Sequence, residues 1–204
     1  IVKMGLISNG TTLLDAGSIS AAKGALTHIK TLTASDSSDL TFLHGSASVV
    51  LDGTYKEYIF KFYDIHAAAN AMFCVNFRDG GTNYDATKTT TMFEAYQNEA
   101  GTSTSLAYVT DYDLAQGTGI QRLGFAGWSE ADESCAGTMH LFDPASTTFV
   151  KHFISEVHGY HGSDIAINSF VSGYCNVTAA IDGVQFSMNS GNIASGTIKL
   201  YGVS

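Results

Sequence analysis

The side chains best able to do chemistry fall in a few short stretches. His152, His158 and His161 lie within ten residues of one another, with Glu156 between the first two and His140 upstream. On a strand, His152 and His158 share a face, and together with Glu156 they are residue types that ligate zinc. A strand rises roughly 3.3 Å per residue, so the two imidazoles stand about 20 Å apart, too far for one ion unless the chain bends. A solvated or interface role is therefore expected for them. Asp111 and Asp113 flank Tyr112, and Glu130, Asp132 and Glu133 follow Trp128. Paired carboxylates serve glycoside hydrolysis or calcium binding, but both need groups converging from several segments. Asp111-Tyr112-Asp113 also lacks the glycine and remaining ligands of a calcium loop.

Trp128, the only tryptophan, sits in Gly124-Phe125-Ala126-Gly127-Trp128-Ser129-Glu130. A loop-borne indole beside Glu130 and Asp132 would stack on the face of a sugar; the plainer alternative is a core or sheet-edge anchor. The sequence contains no GxSxG, no HExxH and no glycine loop leading to Lys and Ser/Thr, so no catalytic residue, cofactor or metal site is assigned. Cys74, Cys135 and Cys175 are far apart and show no ligand spacing; they are expected as small buried thiols, one internal bridge being the alternative. Asn9-Gly10-Thr11 and Asn176-Val177-Thr178 match a glycosylation sequon that a Ser/Thr-rich chain produces often by chance.

The elements that must position these residues can be read from composition and period. The 204 residues suffice for one domain with a full core. Charged residues make up only 14%, against roughly 25% in an average domain, so Ser, Thr, Asn and Gly must cover the surface. A net charge of −9 argues against nucleic-acid binding, which draws on Lys and Arg. The most apolar stretch, Ala67 to Val75, is broken by Asn70 and far shorter than the roughly 18 residues of a spanning helix, so no membrane insertion is expected.

From Thr27 onward the hydrophobic period is two. Tyr58, Phe60 and Phe62 alternate with Ile59, Lys61 and Tyr63, and Phe73, Val75 and Phe77 alternate with Cys74, Asn76 and Arg78, as in half-buried strands. Asp79-Gly80-Gly81, Asp182-Gly183 and Ser190-Gly191-Asn192 supply turns. Met139 to Phe142, the turn Asp143-Pro144, and Phe149, Phe153 and Val157 together read as a hairpin. Phe60, Phe62, Phe73, Phe77, Phe149 and Phe153 are expected to face the space between two sheets. Only Thr89 to Glu99 leaves helix and strand open. About ten strands imply an all-β chain, an antiparallel β-sandwich of jelly-roll type, spanning residues 24–204 as one domain.

Residues 1–23 read differently, as an extended N-terminal arm. Ile1, Val2, Leu6, Ile7, Leu13 and Leu14 are too dispersed for a core and too numerous to leave in water, so attachment to a partner or a second subunit is expected.

Several segments resemble a family of virion structural proteins from marine tailed bacteriophages (cyanophage and pelagiphage types). They are 190–203 (SGNIASGTIKLYGV), 55–62 (YKEYIFKF), 87–91 (TKTTT) and 140–155 (HLFDPASTTFVKHFIS), so the likeness spans about residues 24–204. The resemblance implies a non-enzymatic virion component, a capsid decoration or a tail- or fibre-associated protein, assembled in the bacterial host. Its partners would be copies of itself, as a homotrimer by virion symmetry, and other virion proteins. A host-glycan module at a fibre tip, built on Trp128, Glu130 and Asp132, is the alternative.

Overall fold

The computed structural model describes residues 25–127 and 130–204, together with strand backbone at 6–8, 11–15 and 18–19. Its strands are β1 (Leu6–Ser8), β2 (Thr11–Asp15), β3 (Ser18–Ile19), β4 (Leu26–Ser37), β5 (Asp39–Leu43), β6 (Glu57–Ala67), β7 (Met72–Arg78) and β8 (Lys88–Asn98). They continue as β9 (Thr104–Tyr108), β10 (Gln121–Phe125), β11 (Cys135–Phe142), β12 (Lys151–His161), β13 (Ile165–Cys175), β14 (Gly183–Met188) and β15 (Ile193–Val203). The segment 89–99, ambiguous by pattern, is strand: its alternate residues Thr90 and Met92 are buried while Thr91 and Phe93 are exposed.

Two antiparallel sheets carry the chain from β4 onward, one of eight strands in the order β4-β15-β6-β11-β12-β13-β8-β9, the other of four, β10-β7-β14-β5. The short strands β1, β2 and β3 pair among themselves in a third sheet. Pairing in the two main sheets is nested: β4 with β15, β5 with β14, β6 with β11, and β7 with β10. The remaining strands, β12, β13, β8 and β9, pair successively outward from β11 and widen the large sheet. The arrangement is sandwich-like, with one aromatic-rich core between the sheets. Phe60 and Phe62 on β6 each place their ring 5.2 Å from Phe186 on β14, and Phe77 on β7 lies 5.0 Å from Phe153 on β12.

Phe60, Phe62, Phe73, Phe77 and Phe153 are buried as the period predicts, but Phe149 is 70% exposed. The reason is where the strand begins. β12 starts at Lys151, so Phe149 belongs to the turn after Pro144, where its amide donates to Ser146 Oγ at 3.0 Å and strand alternation does not apply. β7 also departs from the half-buried pattern, with all its residues but Arg78 buried. Asn76 is sequestered because its Nδ2 donates to Thr118 O and its Oδ1 accepts from Lys88 Nζ. At the end of β7, Arg78 makes a two-pronged ion pair with Asp182, at 2.8 and 2.9 Å, and that bond holds the Asp182 carboxyl below the usual carboxylate range.

The interior also holds two lysines that the pattern does not announce. Lys151 and Lys88 are register neighbours of Cys175 on either side, and all three are fully buried. Lys151 Nζ donates to Val177 O at 3.0 Å, and Lys88 Nζ donates to Ala86 O at 2.8 Å besides Asn76. Burial pushes the Lys88 ammonium down to about 8 from its ordinary 10.5 and the Cys175 thiol up to about 12. With its folded pKa depressed, Lys88 binds fewer protons in the native chain than in the unfolded chain between about pH 8 and 10.5, so its contribution to stability rises with pH across that window. The expected result is that wild type gains on Lys88→Met by up to about 1.4 kcal/mol per pH unit there. Urea titrations of both proteins at several pH values check it, and a constant difference would refute it.

Candidate functional site

Two surfaces have the geometry to bind something. The first is the outer face of the eight-stranded sheet. Successive strands bring Phe93, Phe170, Glu156, Thr138 and Lys61 into one cross-strand row, and Thr91, Ser172, Ile154, His140, Ile59 and Tyr201 into the next. Phe93 stacks on Phe170 with centroids 4.8 Å apart, yet remains 42% exposed, and Ile154 is 47% exposed. Side chains of these two rows enclose a shallow groove of about 290 Å³ over β8, β13, β12 and β11. Charge on this part of the face is sparse: His140 pairs with Glu57 at 2.5 Å, Glu156 accepts from Asn168 Nδ2 at 3.0 Å, Lys61 lies 6.0 Å from the Tyr201 ring, and Lys199, next to Lys61 in its row, lies 5.2 Å from the Tyr63 ring.

The second is a more polar cleft of about 390 Å³ at one end of the sandwich, lined among others by Asn70, Tyr112, Arg122, Phe125, His161 and Asn189. Arg122 is held there by donating from Nη1 to Asp111 O at 3.0 Å and by stacking 4.8 Å from the Tyr112 ring centre. Its Nε is buried without a hydrogen-bond partner among the described residues. The His161 ring packs edge-on against Phe125 at 4.9 Å, and burial lowers the His161 pKa from its ordinary value. The loop that follows β10 borders this cleft, since Gly127 O accepts from the amide of Ala71, one of the lining residues.

No family model, curated protein or solved structure matches the chain.

Of the residues singled out by sequence, Trp128 lies outside the described residues. Glu130 and Asp132 are exposed, while their neighbour Glu133 is buried and accepts the Glu130 amide at 3.1 Å through Oε2. The backbone carbonyl of Glu133 also lies 2.5 Å from His66 Nδ1 on β6, which ties this loop to the large sheet. Leu6, Ile7, Leu13 and Leu14 lie in β1 and β2, whose side chains are outside the described residues, as are Ile1 and Val2. His152 and His158 stand on one exposed face of β12, as the period requires, and His161 is turned away to the cleft. Asp113 accepts a hydrogen bond from Tyr108 OH, and the Asp111 backbone holds Arg122. Among the described residues no three His, Cys, Asp or Glu side chains converge as a metal site would need, and the three cysteines are separate buried thiols.

Reading by sequence missed both surfaces. The outer face has a detectable signal: Met92-Phe93, Phe153-Ile154 and Phe170-Val171 put apolar residues on both parities of a strand, which says that both faces of the sheet seek cover. The cleft has none, because its residues come from five separate stretches that only the topology brings together.

Proposed function

We propose that this protein is a non-enzymatic structural component of a bacteriophage particle, a capsid decoration or a tail- or fibre-associated protein, that works by packing against copies of itself and other virion proteins. The observation that carries the reading is the outer face of the eight-stranded sheet, which is broad, aromatic and poor in charge. Such a face joins a neighbour with few charged groups to strip of water, a cost of several kcal/mol per ion. Two further points support it. The nested order of strands fits a jelly roll with β4-β15-β6-β11 and β5-β14-β7-β10 as its two sheets, a fold common among viral capsid and lectin domains. The four segments that resemble phage virion proteins fall on β15, β6, β8 and the β11–β12 hairpin, all within the large sheet. Fold alone does not fix function, so the particle must be interrogated directly.

Residues 1–23 serve in this reading as an attachment arm. Burying even four of its aliphatic side chains at roughly 1.5–3 kcal/mol each would give a gross gain of about 6–12 kcal/mol before the entropy of ordering is subtracted. Deleting 1–23 is expected to leave the thermal midpoint within a few degrees and to abolish incorporation into particles, read by mass spectrometry of purified virions from complemented infections. A truncated protein that fails to fold would make the segment an integral part of the sandwich. Wild-type protein absent from virions would sink the function itself.

A second reading, a host-glycan module at a fibre tip, draws on the polar cleft with its aromatic and amide side chains, which Gly127 borders. Copy number separates the two, because a decoration is abundant in each particle and a tip protein scarce.

A further inference from the structure

We propose that the outer face of the eight-stranded sheet docks onto the same face of a second copy, about a two-fold axis running along β11. This rests on the self-assembling role above and names its partner surface. The argument comes from register. Thr138 on β11 has Glu156 of β12 on one side and Lys61 of β6 on the other. A two-fold in the plane of the contact, parallel to β11, exchanges the flanking strands, so Glu156 of each copy meets Lys61 of the other. In the next row the axis passes His140, which is engaged within its own chain by Glu57. There Ile154, 47% exposed, lies over Ile59, which its own chain already leaves only 9% exposed, and the large Tyr201 of one copy falls over the small Ser172 of the other, at the floor of the groove.

This face is thus self-complementary in charge and in shape, which is the requirement of an isologous contact. Among the described residues neither Glu156 nor Lys61 has an ion-pair partner in its own chain, so each is available to the other copy. The area is sufficient as well. Five strands at roughly 4.8 Å spacing, each presenting about ten residues at 3.3 Å, offer about 800 Å² per copy, the size of a standard stable interface. The strands of the two copies then run close to parallel, inside the range of about 30° that aligned sheet packing spans. The two-fold differs from the trimer expected from virion symmetry alone.

The test is a charge exchange on two exposed or half-exposed positions of the full chain, read by sedimentation velocity with thermal melting as a control for folding. Glu156→Lys places like charges together twice per dimer, as does Lys61→Glu; each is expected to weaken self-association at least about tenfold. Mixing the two single variants is expected to restore it as a heterodimer. The lysine introduced in one chain then faces the glutamate introduced in the other, and the unaltered Lys61 of the first faces the unaltered Glu156 of the second. Self-association that ignores both single changes, or singles that do not recover on mixing, overturns the contact, as does a wild-type chain monomeric at high micromolar concentration. None of these results touches particle membership, which mass spectrometry of virions reads separately.

Discussion

Replacing Phe186 with alanine is expected to lower the stability of the sandwich by about 3–5 kcal/mol, the range for removing a fully buried aromatic ring. Phe186 is the hub between the sheets. Its ring lies 5.2 Å from both Phe60 and Phe62, stacks on Phe73 at 5.5 Å and meets Phe42 edge-on at 6.2 Å. Truncation would leave a void facing four rings, all in rigid strands that cannot close over it. Since a domain of this size has only about 5–15 kcal/mol in hand, much of the native population would be lost at elevated temperature. Phe149→Ala is the internal control: at 70% exposure it should change stability by no more than about 0.5 kcal/mol. Urea denaturation of the pair decides; equal effects would mean that the sheets do not pack through this cluster.

Gly137→Ala should cost about 2–3 kcal/mol although it adds one methyl group. Gly137 sits in β11 opposite Val157 on one side and Phe62 on the other, beside a register shift in the β11–β6 ladder. A Cβ there would overlap Glu156 O and approach Val157 Cα to 2.9 Å. Both are backbone atoms of a strand paired on each side, so relief requires separating β11 from β12 at the middle of the large sheet. Denaturant midpoints measure the loss. An unchanged midpoint would show that β11 and β12 are looser than their register implies.

The strands were legible because burial imposes a period of two on side-chain type, and Tyr58-Phe60-Phe62 against Lys61-Tyr63 carries that period plainly. Where a strand begins is less legible, because the phase of the pattern continues into a turn: Phe149 keeps step with Phe153 yet lies outside β12. Lys88 and Lys151 are invisible for a different reason. Their burial depends on carbonyls and an amide brought from Ala86, Val177 and Asn76, partners that sequence spacing does not reveal. Of the binding surfaces, the cleft around Arg122 and Tyr112 is likewise a product of topology, and the outer face was hidden by its mixture of threonine, serine and histidine with isolated aromatics.

The nested pairing has a consequence for the order of events in the cell. β15 is made about 160 residues after its partner β4, and β5 must likewise wait for β14. Loop closure over such separations is slow, and folds dominated by distant pairings take milliseconds to seconds or longer. While translation continues, β4, β5 and β6 therefore stand with unpaired edges, and at about 5–20 residues per second that interval lasts on the order of ten seconds or more. During it the unpaired edges of the nascent chain are templates for strand exchange, and such exchange competes with correct closure of the sheets.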